Sequence, residues 1–455
     1  MGLHHCSRWL ATMYCACVAF LLVGTAPAHA DARWLLVSDI HRNPFDRATA
    51  PSRPGADSNP ALLNSAIARM RLEAPDPAVV VIAGDFLAHH FDRLAKQNAP
   101  RMTLEAAELQ TMASIARQFG RTFPRARFLI ALGNNDDPCG DYRSSYASPY
   151  LRALAKIWAP LVDRNDAAPG FARDFSTDGA YVAALPIANL RVVVVNSVYW
   201  SWRANAACSP AAAGNVEFAW LDRTLAATPA GERNLIVMHV PPGIDGYSTG
   251  FVHGAVTVPF LHPADSARLI AALANPGNRV DAALAGHAHE LELRALDDVP
   301  MLVVPSISPI YGRAPSFFVA TMAANGTLAD YTAEIYDYAT ASWRSAYDFN
   351  RVFGVHGIDA RSIAAIHARM TGGWRPPAAI QTSTDRYARC AQTEMTAARF
   401  DACTGNPAGR VDVILAAVAL ALAAAGLAIF LLVFRRVLRV SVRSEVARGP
   451  KCRGE

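Results

Sequence analysis

Seven side chains able to bind a metal ion sit just beyond five apolar runs. They are Asp39 and His41 after Trp34–Val37, Asp85 after Ala78–Ala83, Asn134 after Arg127–Leu132, His239 after Asn234–Met238, and His287 and His289 after Val280–Ala285. Three or four N/O donors make one divalent site. Two carboxylates, one amide and four imidazoles, with one carboxylate shared, make two adjacent ones. Two cations ~3.5–4 Å apart lower the pKa of a shared water, grip a phosphate oxygen and stabilise an in-line displacement at phosphorus. Each fragment alone is weak, because Gly-Asp, Asp-x-His and His-x-His recur by chance and a lone histidine after a strand is usually a hydrogen-bonded loop residue. The weight lies in five fragments in order, each directly after an apolar run.

Such runs read as strands covered on both faces. Between the first two, Pro60 to Arg71 reads as a helix with Asn59 as N-cap and Leu63, Ile67 and Met70 on one face; Thr103 to Gln118 reads as another. Strands alternating with helices predict an α/β layered fold, in which ligands gather beyond the carboxyl ends of the strands. All five polar clusters are at such ends. After about Thr340 the strand pattern fades, so 31–340 is expected to be the catalytic domain. Residues 341–412 are expected to form a helical appendage, broken at Gly372-Gly373 and Pro376-Pro377.

The chain ends read as addresses. Residues 1–30 combine His4, His5 and Arg8, an apolar stretch and Ala28-His29-Ala30, which predicts a cleaved signal peptide with Asp31 as the mature start. Residues 413–434 carry no charged or strongly polar group, and at ~1.5 Å per residue 22 helical residues cross the ~30 Å hydrocarbon layer. Arg435, Arg436 and Arg439 follow at once, so the expected topology is a single span, a cytoplasmic basic tail at 435–455 and a catalytic domain on the periplasmic, extracytoplasmic side of the cell membrane. The formal charge of +5 resides in that tail; residues 31–434 hold 35 basic and 36 acidic side chains, which gives no reason to expect a nucleic-acid-binding body. Four cysteines, Cys139, Cys208, Cys390 and Cys403, fall on the oxidising side. They permit three pairings, of which Cys390 with Cys403, a short local loop, and Cys139 with Cys208 is preferred.

In its ordered blocks the chain resembles the calcineurin-like metallophosphoesterases, whose pattern is D-x-H, G-D, G-N-H-[DE], H and G-H-x-H. It looks most similar to the branch of acid sphingomyelinase-like phosphodiesterases and endopolyphosphatases. The features are Asp39-Ile-His-Arg-Asn-Pro-Phe45, Gly84-Asp-Phe-Leu-Ala-His89, and Pro305-Ser-Ile-Ser-Pro309 followed by Pro315-Ser-Phe317. The resemblance implies a four-layer αββα sandwich and two divalent ions, with Zn, Mn and Fe all suited to the ligand mix. It implies one ion on Asp39, His41, Asp85 and His289, the other on Asp85, Asn134, His239 and His287, with Asp85 bridging. Asn135 stands where the family carries a catalytic histidine; an amide can donate a hydrogen bond to substrate but cannot protonate a leaving group. His89 matches the leaving-group histidine of the sphingomyelinase branch, while His90 beside it reads as an ordinary loop residue.

The expected function is a membrane-anchored dinuclear-metal phosphoesterase in which a metal-activated hydroxide cleaves phosphodiester or phosphoanhydride bonds. A phosphate-containing small molecule, polyphosphate or lipid headgroup would be its substrate. Asn135 tilts this toward phosphoanhydrides, whose phosphate leaving group, second pKa ~6, needs little acid help. The alternatives are a sphingomyelinase-like lipid phosphodiesterase and a catalytically silent tethered binding module. Asn196, Tyr199, Tyr311 and Arg313 are weaker candidates for substrate contact, and Trp220 and Leu221 read as helix core.

Overall fold

Val79-Val-Val-Ile82 is fully buried and β-branched throughout, as expected of a parallel strand covered on both faces. It forms β2 of a computed structural model that describes residues 32–405, apart from 186, 188, 205, 206, 253–255, 378, 379 and 381–385, together with 422 and 426. β1 (Ala32–Val37), β2 (Val79–Ile82) and β3 (Arg127–Ile130) run parallel, and β10 (Ser316–Met322), β11 (Leu328–Asp337) and β12 (Ser342–Asp348) extend the sheet antiparallel beside β1, in the order β12-β11-β10-β1-β2-β3. A second sheet has the order β4-β5-β6-β7-β9-β8, from Tyr181–Ala184, Leu190–Val194, Arg233–Val237, Val280–Ala285, Val299–Val303 and Glu292–Leu296 respectively; β5, β6, β7 and β9 are parallel. All five apolar runs are strands of these two mixed sheets, and the fold class is α/β.

Helices cover the sheets. Asn59 caps α1 (Pro60–Glu73) by accepting from Leu62 N at 2.9 Å. α2 (Phe91–Asn98), α3 (Leu104–Thr122), α4 (Pro149–Val162) and α5 (Phe171–Asp178) follow, then α6 (Ala213–Ala226), α7 (Gly246–Phe251) and α8 (Pro263–Ala274). Alternate residues of the second sheet face opposite ways. Val192, Val194, Leu235, Val237 and Leu284 join the core of the first sheet, while Val193, Val195, Ile236, Met238 and Ala283 pack with Phe218 and Leu221 of α6 and Leu269 of α8. Leu221 is core, as expected, and Trp220 packs at its edge.

The strand pattern, expected to stop at about Thr340, continues past it. Thr340 falls in the turn of the β11–β12 hairpin, so the residues after it open with a strand rather than a helix. β12 is an edge strand with one exposed face, and Ser342-Trp-Arg-Ser-Ala-Tyr-Asp lacks the continuous apolar signal of a buried strand. Helices take over from α9 (Phe349–Phe353) through α10 (Ala360–Thr371), α11 (Arg386–Thr393) and α12 (Ala397–Thr404). Disulfides join Cys139 to Cys208 and Cys390 to Cys403, the preferred pairing. Among the described residues no helix is long and apolar enough to cross a membrane. The expected signal at 1–30, the tail at 435–455 and the span at 413–434, but for residues 422 and 426, lie outside the described residues.

Candidate metal centre

Parallel strands deliver their carboxyl ends to one edge, and the two sheets are packed so that these edges meet. Hydrogen bonds join them: His239 Nδ1 lies 2.7 Å from Ala83 O, and His287 N donates to Asp39 Oδ2 at 3.0 Å. The loops there are tightly wound. Five of the seven predicted ligand residues have positive φ: Asp39 (49°), His41 (43°), Asp85 (55°), His287 (73°) and His289 (58°). Such left-handed residues cost about 1–3 kcal/mol each and cluster at functional sites. Gly84 has φ +91°, and a Cβ on it would lie 2.5 Å from the His239 ring, so both conformation and space demand glycine.

All seven predicted ligands come together, and except for His287 they are buried. His41 Nε2 lies 3.3 Å from Asp85 Oδ2, 3.7 Å from Asp39 Oδ1 and 3.1 Å from His289 Nε2; His289 Nε2 lies 3.3 Å from Asp39 Oδ1. His239 Nε2 lies 3.4 Å from the same Oδ2 and 3.0 Å from Asn134 Oδ1. One ligand atom each of Asp85, His239 and His287 fit within 4.8 Å of one another.

The donor chemistry fits a cation. His41 Nδ1 faces Leu87 O at 2.9 Å and His239 Nδ1 faces Ala83 O. A carbonyl only accepts, so both rings carry hydrogen on Nδ1, and in the neutral ring Nε2 turns a lone pair toward carboxylate and amide oxygens. Asp39 Oδ1 is buried with no hydrogen bond. Asn134 is oriented by Asp141, whose Oδ1 accepts from Nδ2 at 2.7 Å and so turns Oδ1 of the amide inward. Lone pairs that converge without hydrogens between them repel until a positive charge sits among them.

Without a metal, protons serve. Burial opposes charge on His41 and His239, but Asp85 beside both, and Asp39, outweigh it and raise their pKa values to about 10 and about 9. Burial, helped by His239 and His41 respectively, pushes His287 and His289 down to about 3. Burial would raise the Asp39 and Asp85 carboxyls, yet the surrounding imidazoles hold both below the usual carboxylate range.

Asn135 sits against Asp85: its backbone N donates to Oδ1 and its Nδ2 to Oδ2, both at 2.9 Å. The amide expected to meet substrate is engaged in holding the central carboxylate. His89 stacks on His41 with ring centroids 4.1 Å apart, its Nδ1 2.9 Å from Asp57 Oδ1 and its Nε2 3.4 Å from the Tyr311 hydroxyl. His90 is the exposed left-handed residue that starts α2. Asn196 is buried and donates to Ser144 Oγ and Asp178 O, so it braces loops rather than facing the site; the Tyr199 hydroxyl donates to Ser145 O. Tyr311 and Arg313 do line a cavity of about 320 Å³ over His287 and His289, with Tyr142, Arg203, Tyr247 and Phe260. Arg313 is paired there with Glu290.

Asp57, Asp141 and Tyr142, whose hydroxyl lies 3.2 Å from His287 Nε2, escaped the sequence reading. Asp57 precedes Ser58, Asn59 and Pro60, where an acid reads as part of a helix start, and Asp141 and Tyr142 lie in a loop without periodicity.

The calcineurin-like phosphoesterase family matches residues 32–291. Among curated proteins the chain is similar to sphingomyelinase phosphodiesterase D of Dictyostelium discoideum, 24% identical over 357 residues (74% of this chain, 75% of that protein). It is also similar to human acid sphingomyelinase-like phosphodiesterase 3b, 24% identical over 374 residues (73% and 76%). Among solved structures it resembles a dimetal phosphatase from Danio rerio, with TM-score 0.42, 13% identity and coverage of 67% of this chain and 95% of that one. The chain belongs to the calcineurin-like phosphoesterases and is a metal-dependent phosphoester hydrolase.

Proposed function

We propose that this phosphoesterase is a two-metal phosphodiesterase, a four-layer αββα sandwich tethered by one span at 413–434 with its site on the extracytoplasmic side of the cell membrane. The observation that carries the reading is the convergence of His41 Nε2, at 3.3 Å, and His239 Nε2, at 3.4 Å, on one oxygen, Asp85 Oδ2. Asp39, His41, Asp85 and His289 would hold one ion, and Asp85, Asn134, His239 and His287 the other; Zn²⁺, Mn²⁺ and Fe ions all suit these donors. When bound, the pair supplies Lewis acidity and a nucleophilic oxygen at neutral pH. The protein's own groups do the rest. Asn135 fixes the Asp85 carboxylate, Asp141 fixes the Asn134 amide, and the Leu87 and Ala83 carbonyls fix the ring tautomers of His41 and His239.

His89 is the proton donor to the leaving oxygen in this reading, with Asp57 accepting from Nδ1 and leaving Nε2 directed toward the cavity wall. That pair moves the preference away from the phosphoanhydrides suggested by Asn135 and toward phosphodiesters, whose alkoxide leaving groups need a proton. The names of the two curated relatives point the same way. A lipid headgroup diester is supported by the aromatic wall of Tyr142, Tyr247, Phe260 and Tyr311.

The test is Asp85→Ala in the metal-replete full chain. It should lose bound metal, measured by elemental analysis, together with hydrolysis of bis(p-nitrophenyl) phosphate. Retention of both would remove the site. Turnover of sphingomyelin-type diesters, nucleoside triphosphates and polyphosphate side by side separates the substrate classes.

A further inference from the structure

Exposed apolar side chains gather at one side of the cavity mouth. α7 and the residues after it present Tyr247 (60% exposed), Phe251 (77%), Val252 and Val256 (59%), and across the opening Tyr311 stands 5.8 Å from Tyr247, ring to ring. Single exposed apolar residues are ordinary; several exposed on one short segment beside a site signal a partner. α7 itself lines the cavity through Tyr247 and Ser248.

Beneath this face lie α11 and α12. Ile244, Cys390, Ala391 and Phe400 bury one another, and Gly246 and Gly250 approach Ala391 and Tyr387 so closely that Cβ atoms there would lie 3.0 and 3.4 Å away. Thr257 Oγ1 donates to Asp401 Oδ1 at 2.6 Å. α12 is therefore joined directly to the segment that bears Val256, and it ends at Thr404. Only residues 405–412 separate it from the apolar run that starts at Val413, and eight residues reach at most ~28 Å even when fully extended.

We infer that the α7 face docks on the lipid bilayer beside the chain's own anchor, placing the cavity mouth at headgroup level. The inference rests on the anchored reading above. Aromatic side chains favour the interface, and the exposed Arg386 beside Tyr387 suits anionic headgroups. The occupant is the membrane surface, because a tether this short holds the face within a bilayer's thickness of the lipid.

The test uses the full chain carrying Phe251→Trp, reconstituted into phosphatidylcholine–phosphatidylserine vesicles with and without brominated acyl chains, alongside alkaline extraction of the same vesicles. The expected result is that the emission added by the substitution is quenched by brominated lipid and that the chain resists extraction. Resistance without quenching overturns the docking and leaves the anchor standing. Quenching with release at alkaline pH supports the docking and overturns the anchor. Added emission that shifts with protein concentration in detergent and ignores bromine assigns the face to a second copy and overturns the proposal.

Discussion

A Cβ placed on Gly133 would lie 2.0 Å from Oδ1 of Asp85, the carboxylate at the centre of the site. The glycine that opens the third motif is thus a spacer for the aspartate of the second. Both the Asn135 hydrogen bonds and the approach of His41 and His239 depend on Asp85 keeping that position.

Gly133→Ala should therefore push Asp85 out of place. A displacement near 1 Å at a reacting centre costs on the order of 10²-fold in rate. We predict a drop of that order in kcat/KM for bis(p-nitrophenyl) phosphate, with reduced metal content. Unchanged kinetics would mean that Asp85 tolerates movement.

Metal binding should release protons. At pH 7 the metal-free rings of His41 and His239, with pKa values of about 10 and about 9, are charged, whereas a ligand imidazole must be neutral. Affinity should rise about tenfold per pH unit for each proton displaced. Calorimetry in buffers of different ionisation enthalpy reads the proton count; a heat independent of buffer contradicts the assignment. For the metal-free protein the sign is opposite. Imidazoles raised on folding add stability that is fully present below their unfolded pKa of ~6.5 and is lost as the pH climbs through about 9 to 10.

The His89–Asp57 pair predicts a dependence on the leaving group. His89→Gln should lose roughly 10²–10⁴-fold on diesters that expel an alkoxide and little on nitrophenyl diesters, whose leaving group needs no proton. Asp57→Asn should fall between on the same alkoxide diesters, because the Nδ1 partner that orients His89 is weakened. Equal losses on both substrates would make His89 a structural residue.

Removing the Cys390–Cys403 bridge by paired alanines should destabilise the α11–α12 region by about 3 kcal/mol, the entropy of closing a short loop. Denaturant unfolding followed by the emission of nearby aromatic residues measures it, and turnover of a soluble diester should persist because none of the seven predicted ligands lies in that loop.

The seven ligand candidates, the five central strands, both disulfides and the Asn59-capped helix were legible in the sequence. All but one are local patterns: a β-branched run ending in a polar cluster, a cap one residue before a proline, or the short Cys390–Cys403 spacing; the Cys139–Cys208 bridge, 69 residues apart, followed because these two cysteines remained. The edge strand β12 was not legible, because an exposed strand carries half the apolar signal of a buried one. Nor were Asp57, Asp141 and Tyr142, which reach His89, Asn134 and His287 from loops with no repeating pattern. The sequence alone determined which residues stand at the ends of strands. The packing of one sheet on the other decided that Asp39 and Asp85 meet His239, His287 and His289, that Asn135 braces Asp85, and that α7 lies over the base of the C-terminal helices. Those contacts join segments up to about two hundred and fifty residues apart, and only burial of the shared core between the sheets brings them together.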